Sequence, residues 1–473
     1  MEKENELQKK LIKKWENGWK MINKEQKDQI FQFSERYKNF LNQGKTERES
    51  VKEIIRLAEK NGFIPLEEAI RQRIEVKPGQ KFYSVYKGKT VVLFTLGKEE
   101  LTNGMNIVGS HIDSPRLDLK PNPLYEEEGM AFFKTHYYGG IKKYQWVTIP
   151  LSLHGVVVKK DGEKVEIKIG EDKEDPVFYI TDLLPHLAKD QMEKKLGEGI
   201  SGEGLNLVVG SIPYGEEDLS ETIKLNILNL LYEKYGIVEE DFASTELEAV
   251  PAYGARDVGL DRSLITAYGQ DDKVCAYASL QAILNVKDPQ RTAVALMADK
   301  EEVGSQGSTG MQSAFFENMV AELIELTQIE PNELKVRRAL SNSKVLSADV
   351  NAGYDPNFPD THDKKNASYI GKGVALIKYT GARGKSGSND ANAEFMGEIR
   401  RVFNENDVIW QMGELGKVDK GGGGTIAYIL ANYGMDVADC GTALLSMHAP
   451  MELSSKLDVY MTYKAFEAFY KLK

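Results

Sequence analysis

The spacing of hydrophobic positions changes several times along this chain, and each change predicts a different kind of element. Residues 1–75 read as helical, with Val51, Ile54, Ile55 and Ala58 recurring at three- and four-residue intervals that line one helix face. Thr46 and Glu49 stand at capping-box spacing before that stripe, and Asn61-Gly62 supplies a stop. From Lys81 the period shortens. Residues 82–86 and 91–96 flank a Lys87-Gly88-Lys89 turn and predict a hairpin. Residues 106–109 make another short apolar strand, ending at Ser110-His111-Ile112-Asp113.

The texture differs between about residues 121 and 250. Residues 147–158 are rich in β-formers, and an Asp161-Gly162 turn leads into 165–169, which predicts a second hairpin. Pro, Gly and acidic residues interrupt the rest, and only 221–235 has a strong helical pattern. Beyond residue 255 strands and helices alternate: 274–284 is a helix candidate, and 292–298, 344–348, 374–379 and 443–447 are strand candidates. Such alternation implies an α/β layer around a largely parallel or mixed sheet. The expected architecture is therefore a discontinuous α/β domain, residues 1–120 and 251–473, carrying an inserted, mostly β domain at 121–250.

Composition narrows the function classes. A chain of 473 residues with net charge −11 repels polyanions, so nucleic acid is set aside as a partner. The two cysteines, Cys275 and Cys440, are too few for a disulfide framework and fit a reducing compartment. The first 14 residues are a charged mixture with no apolar signal core. The longest apolar runs, such as 90–96, are strand-sized and far short of a membrane span. These features lead us to expect a soluble, cytoplasmic protein with no membrane partner.

The residues able to bind metal sit where such a fold would gather them. His111 follows the strand at 106–109, Glu301 and Glu302 follow 292–298, Asp349 follows 344–348, and His448 follows 443–447. Asp271 and Asp272 open the helix that begins near Val274. Open α/β sheets bind ligands beyond the carboxyl ends of their strands, so these residues are expected to converge on one rim. Imidazole and carboxylate donors without thiolate suit Zn2+, Mn2+ or Co2+. A carboxylate can bridge two such ions, and we assign that place to Asp271. A metal-activated water needs a neighbouring base, and the adjacent Glu301 and Glu302 offer a base and a ligand in one turn. Asp113, two residues beyond His111 in extended chain, lies on the same side and can hold the imidazole or stiffen the bridging group.

The motifs resemble a known family as a set. Ser110-His111-Ile112-Asp113-Ser114-Pro115-Arg116, Gly269-Gln270-Asp271-Asp272, Asp299-Lys300-Glu301-Glu302-Val303-Gly304-Ser305, Ser347-Ala348-Asp349 and Ser446-Met447-His448-Ala449-Pro450-Met451-Glu452 are similar to the successive motifs of the aspartyl aminopeptidase and aminopeptidase I family of dinuclear zinc metallopeptidases. The resemblance runs from about residue 80 to the C-terminus. It implies a three-layer α/β/α metallopeptidase domain with a central mixed sheet. His111, Asp271, Glu302, Asp349 and His448 would bind two divalent ions, Zn2+ foremost with Co2+ and Mn2+ as alternatives, and Asp271 would bridge them. Glu301 would be the general base and Asp113 the orienting carboxylate. Pro185-His186-Leu187-Ala188 also resembles a family segment, whose His steadies the substrate carbonyl in a neighbouring subunit's site. A homo-oligomer, a tetrahedral dodecamer, is implied with it, and the inserted domain would serve that assembly.

The implied activity is removal of single N-terminal residues from peptides by attack of a metal-bound hydroxide. Whether those residues are acidic or neutral stays open. The stretch Asp355-Pro356-Asn357 replaces a family His-Pro-Asn, and 379–386 departs from members that hold acidic side chains. Arg383 and Lys385 are candidates to bind an Asp or Glu side chain, and equally candidates for solvated loop cations. Gly421 to Gly424 allow close backbone approach to a ligand and suit a pocket wall or a mobile loop. A deacylase or carboxypeptidase on the same scaffold, and a non-catalytic assembly protein, are the competing readings. The second is disfavoured by Glu301, which a purely structural metal site does not need.

Overall fold

The computed structural model describes residues 7, 8, 10–215, 220–328, 330–381 and 383–473. Its centre is a mixed nine-stranded sheet in the order Ile64–Pro65, Lys81–Tyr86, Thr90–Thr95, Thr292–Ala298, Met105–His111, Lys344–Ser347, Asp436–Gly441, Val374–Ile377, Trp410–Met412. The middle four strands, from Thr292–Ala298 to Asp436–Gly441, run parallel to one another, while Thr90–Thr95 and Val374–Ile377 flank them antiparallel.

Side chains alternate across a strand, and here the alternation feeds two separate cores. On one face Val91, Leu93, Val108, Ala293, Ala295 and Leu346 pack against the helices Lys24–Gln43, Glu47–Lys60, Gln270–Asn285, Ala393–Glu405 and Lys456–Phe469. On the other, Val92, Phe94, Ile107, Val294, Leu296 and Val345 pack against Leu66–Gln72, Phe315–Thr327, Glu333–Ser341 and Ala427–Ala431. This is the expected three-layer α/β/α sandwich. The helix Gln270–Asn285 is buried nearly all round, since Cys275, Ala276, Ala278, Leu280 and Ala282 are all inaccessible. A helix buried on every side belongs in an interior, and Asp271, with non-helical backbone (φ −78°, ψ 109°), stands at its N-terminal end.

Several local signals act as read from the sequence. Thr46 and Glu49 form the capping box of Glu47–Lys60, and Asn61 closes that helix. Lys87 and Gly88 both take positive φ, and the three residues 87–89 join Lys81–Tyr86 to Thr90–Thr95, with Tyr86 paired to Thr90.

A second, antiparallel sheet has the order Lys164–Ile169, Leu151–Val158, Thr245–Pro251, Arg116–Glu127, Met130–Tyr138, Leu207–Gly210. Its core holds Leu117, Phe133, Trp146, Leu153, Val157 and Leu247, with Thr222–Tyr235 laid against it. The first strand of this sheet starts at Arg116, ahead of residue 121, so the chain enters it almost directly from Asp113. Buried His154 joins this sheet to the helix Glu47–Lys60, with Nδ1 2.8 Å from Glu49 and Nε2 3.0 Å from Glu171. A third sheet of five short strands, Arg256–Val258, Leu264–Ala267, Glu452–Ser455, Ala443–Leu445 and Asn351–Ala352, lies in sequence beside the candidate ligands.

The apolar run 443–447 was expected to be a central strand with His448 at its end. The central strand is instead Asp436–Gly441, and Ala443–Leu445 belongs to the five-stranded sheet. Gly441 closes on the Asp349 backbone, where an added Cβ would sit 1.9 Å from the carbonyl oxygen; the chain then passes to the other sheet. Among the described residues no helix is long and apolar enough to cross a membrane.

Candidate metal centre

Two structural layers supply the site. The parallel strands Met105–His111, Thr292–Ala298 and Lys344–Ser347 end at the same edge, and they deliver His111, Glu301, Glu302 and Asp349 there. The five-stranded sheet delivers the rest: Leu264–Ala267 leads into Asp271, Ala443–Leu445 leads into His448, and Glu452 opens its own strand.

Asp271 sits between the two imidazoles. Its Oδ1 lies 3.2 Å from His111 Nε2, and its Oδ2 lies 3.2 Å from His448 Nε2. His448 Nε2 is also 3.5 Å from Glu302 Oε2. His111, Asp271 and Glu302 bring ligand atoms within 4.8 Å of one another, and so do His111, Asp272 and Asp349. The five expected ligands therefore converge, and Asp272, which sequence reasoning left without a role, joins them. Its Oδ2 accepts from the His111 backbone N–H at 3.4 Å. Adjacency to Asp271 was the only signal for it.

Asp113 organises the rim. Fully buried, it accepts the Glu301 N–H at 3.1 Å on Oδ1 and the Glu302 N–H at 3.2 Å on Oδ2. Its Oδ1 is 3.3 Å from His111 Nδ1. One carboxylate thus holds an imidazole and the turn bearing both glutamates. Glu452 does the same on the far side, accepting from the Asp271 N–H at 3.1 Å and the His448 N–H at 2.8 Å. The last motif contains Glu452, yet nothing in its residue type showed this contact with backbone some 180 positions away.

The electrostatics expose a deficit of positive charge. Burial pushes the Glu301 carboxyl up to about 7, with Asp113 and Asp271 adding to the effect and His111 opposing it. Burial and the Asp271 charge raise Glu452 to about 8, and burial raises Glu302 and Asp349 well above the carboxylate range. Burial alone would lower His448, but the Asp271 and Glu302 carboxylates more than reverse that, to about 10. Asp272 Oδ1 and Glu302 Oε1 are buried without a hydrogen-bond partner, and Asp271 Oδ1 has only the His111 ring nitrogen at 3.2 Å. Buried carboxylate oxygens without donors are costly, and a divalent cation coordinated by them removes that cost. The donor set fits such an ion: two imidazoles, several carboxylates and no thiolate.

Next to the acidic cluster lies a cavity of about 370 Å³. Its lining includes the acidic and imidazole groups Asp271, Glu301, Glu302, Asp349 and His448 together with Val350, Ile377, Leu415, Met447 and Gly422 to Gly424. The glycine run is thus a pocket wall. Neither Arg383 nor Lys385 lines this cavity. Lys385 pairs with Asp390 at 2.7 Å and stacks over Tyr379, and Arg383 is an exposed turn residue with φ 39°. Ala382, in the same tract, lies outside the described residues. His186 is exposed and is not among the cavity residues.

The family of aminopeptidase I zinc metalloproteases, M18, matches residues 40–470. The chain belongs to this family. It is therefore a metal-dependent aminopeptidase, a metallo-exopeptidase of the hydrolase class. The probable M18 family aminopeptidase 1 of Clostridium acetobutylicum is 53% identical over 97% of this chain and 98% of its own. The Thermotoga maritima relative of the same description is 49% identical over 93% of this chain and 96% of its own. The crystal structure of an M18 aminopeptidase from Thermotoga maritima superposes with TM-score 0.93 at 48% identity, covering 98% of this chain and 100% of that one. Aminopeptidase I from Clostridium acetobutylicum gives 0.91 at 50% identity, covering 97% and 99%. These M18 relatives share the α/β/α layering along nearly their whole length.

Proposed function

We propose that this aminopeptidase uses two divalent cations, Zn2+ foremost, and removes neutral N-terminal residues from peptides. His111 and Asp349 would hold one ion, Glu302 and His448 the other, with Asp271 bridging. The observation carrying this is the divided use of Asp271, whose two oxygens face two different imidazoles at 3.2 Å each. When bound, the cations supply Lewis acidity that lowers the pKa of water and polarises the scissile carbonyl.

The chain's own groups supply the rest. Glu301 takes a proton from the attacking water and returns it to the leaving amine, which suits a base held near neutrality. Asp113 keeps Glu301 and His111 in register through the contacts described above. The acidic oxygens of the cluster attract the substrate's free ammonium, so a blocked N-terminus is excluded. The cavity wall of Val350, Ile377, Leu415 and Met447 receives the first side chain, and no Lys or Arg stands among the cavity residues. That lining favours a neutral side chain over an acidic one and leaves Arg383 and Lys385 as solvated loop cations.

The six-stranded sheet is the proposed assembly unit of an inserted domain. The connection between its strands Lys164–Ile169 and Leu207–Gly210 carries His186 and exposes Leu183, Leu184, Leu187, Met192 and Leu196, more apolar sequence than an isolated surface usually presents. A Saccharomyces cerevisiae relative, 22% identical, is described as a dodecamer. We extend a homo-oligomer to this chain, tetrahedral and dodecameric, with His186 facing a neighbour's site. Free, buried Cys275 and Cys440 suit a reducing, cytoplasmic setting.

A substrate profile tests the reading. Leu- and Met-amides should be hydrolysed faster than Asp- and Glu-amides, and excess chelator followed by dialysis should abolish all activity until Zn2+ returns. Full activity in the chelated protein would reject the metal reading. Acidic amides matching or exceeding leucine would reject the pocket assignment.

A further inference from the structure

The six-stranded sheet also reaches into the catalytic cluster of its own chain, through three consecutive residues at the end of the strand Met130–Tyr138 and just beyond it. The Tyr138 hydroxyl donates to Asp113 Oδ2 at 2.7 Å. Two residues on, the Gly140 carbonyl lies 2.8 Å from His448 Nδ1 and accepts its proton. Between them Gly139, at φ 73°, passes so close that a Cβ there would sit 3.3 Å from Glu302 Cβ and Oε2. One short segment therefore touches groups on both sides of Asp271.

Tyr138 is itself held rigidly. The Arg116 guanidinium lies 3.9 Å from its ring centroid. Arg116 is buried, with Nε 2.8 Å from Asp118 and 3.3 Å from Glu248, and with a terminal nitrogen 3.4 Å from Glu47. Three carboxylates fix the guanidinium plane, the plane fixes the phenol ring, and the ring aims its hydroxyl at Asp113. Such a chain of fixed groups behind a ligand sets its orientation and electron density.

The geometry points to Tyr138 as a positioning residue: through Asp113 it orients His111 and the Glu301-Glu302 turn, while the Gly140 carbonyl fixes the ring of His448. The sheet bearing the proposed assembly surface is thereby a working part of the metal site, and the chain enters it at Arg116, only three residues after Asp113. Tyr138 does not line the cavity, so its effect is on geometry and on ion affinity rather than on substrate capture.

This inference rests on the metal reading, and the test separates the two. Tyr138→Phe keeps the ring beneath Arg116 and removes only the hydroxyl. In the full-length protein loaded with Co2+, the substitution should lower kcat on the order of 10-fold and weaken Co2+ affinity by a comparable factor. KM should stay within about twofold, as expected when substrate binding is untouched. The visible absorption band of the bound Co2+ should shift, which a merely structural role would not produce. Replacing Tyr138 with 3-fluorotyrosine, a stronger donor of nearly the same size, should move that band in the opposite sense, and it decides the matter should the Phe variant not fold. Phe and fluorotyrosine proteins with wild-type spectra and Co2+ affinities would overturn the role of Tyr138 alone. Wild-type protein that takes up no Co2+ would overturn this inference and the metal reading together.

Discussion

Glu301→Gln should lower kcat by about a thousandfold, within the range that removal of a general base produces, while leaving the bound metal unchanged. Gln has nearly the same shape but cannot accept the water's proton. Glu301 lines the cavity, its backbone N–H is held by Asp113 at 3.1 Å, and its Oε2 stands 3.9 Å from His111 Nε2. It is close to the cluster without being the group placed between the imidazoles. Burial raises its carboxyl to about 7, and neighbouring cations would draw that value down. Since the base works deprotonated, activity should rise with pH through its pKa, and this acidic limb should vanish in the variant. Steady-state rates measured beside elemental analysis check the prediction. A variant retaining activity within threefold of wild type would remove Glu301 from the base role.

Asp271→Asn should cost more than the roughly 100-fold loss typical of removing a partner behind the ligands, and it should fail differently. Asp271 has one oxygen 3.2 Å from each imidazole, so neutralising it should weaken both cation positions at once. Binding to the native state stabilises it by about 2.7 kcal/mol when ligand is at 100 times its Kd. Wild-type Tm should accordingly climb as Zn2+ is added, and the variant should respond little. Elemental analysis should show its metal content well below the wild-type value. An Asp271→Asn protein that keeps two ions and the full Tm response would transfer the bridge to another residue, with Asp272 the nearest candidate.

The parts of this structure legible in the sequence are those governed by local rules. The capping pair Thr46 and Glu49, the Lys87-Gly88 turn and the strand Thr292–Ala298 each depend on residues within a few positions of one another. The gathering of His111, Glu302 and Asp349 was legible too, because parallel strands that end at one edge carry their following residues to the same rim. Asp436–Gly441 was missed because Asp436 and Asp439 interrupt its apolar pattern, whereas Ala443-Leu444-Leu445 is an uninterrupted apolar stretch that the small sheet uses instead. The residue types of Arg383 and Lys385 could not show where they lie relative to the cavity; the fold leaves both out of its lining and pairs Lys385 with Asp390. Glu452, Tyr138 and the Gly140 carbonyl act through contacts with residues 25 to 308 positions distant. No local pattern marks such pairs, since their partners are a backbone amide, a buried carboxylate and an imidazole that only the folded sheets bring into reach.

The central claim is that two cations share Asp271. Crystals of the Zn2+-loaded protein, with diffraction recorded on both sides of the zinc absorption edge, address it directly. The account predicts two anomalous peaks about 3.5–4 Å apart, one beside His111 and Asp349, the other beside Glu302 and His448, with an Asp271 oxygen on each. A single peak, or two peaks that leave Asp271 without a bond to either ion, would contradict it.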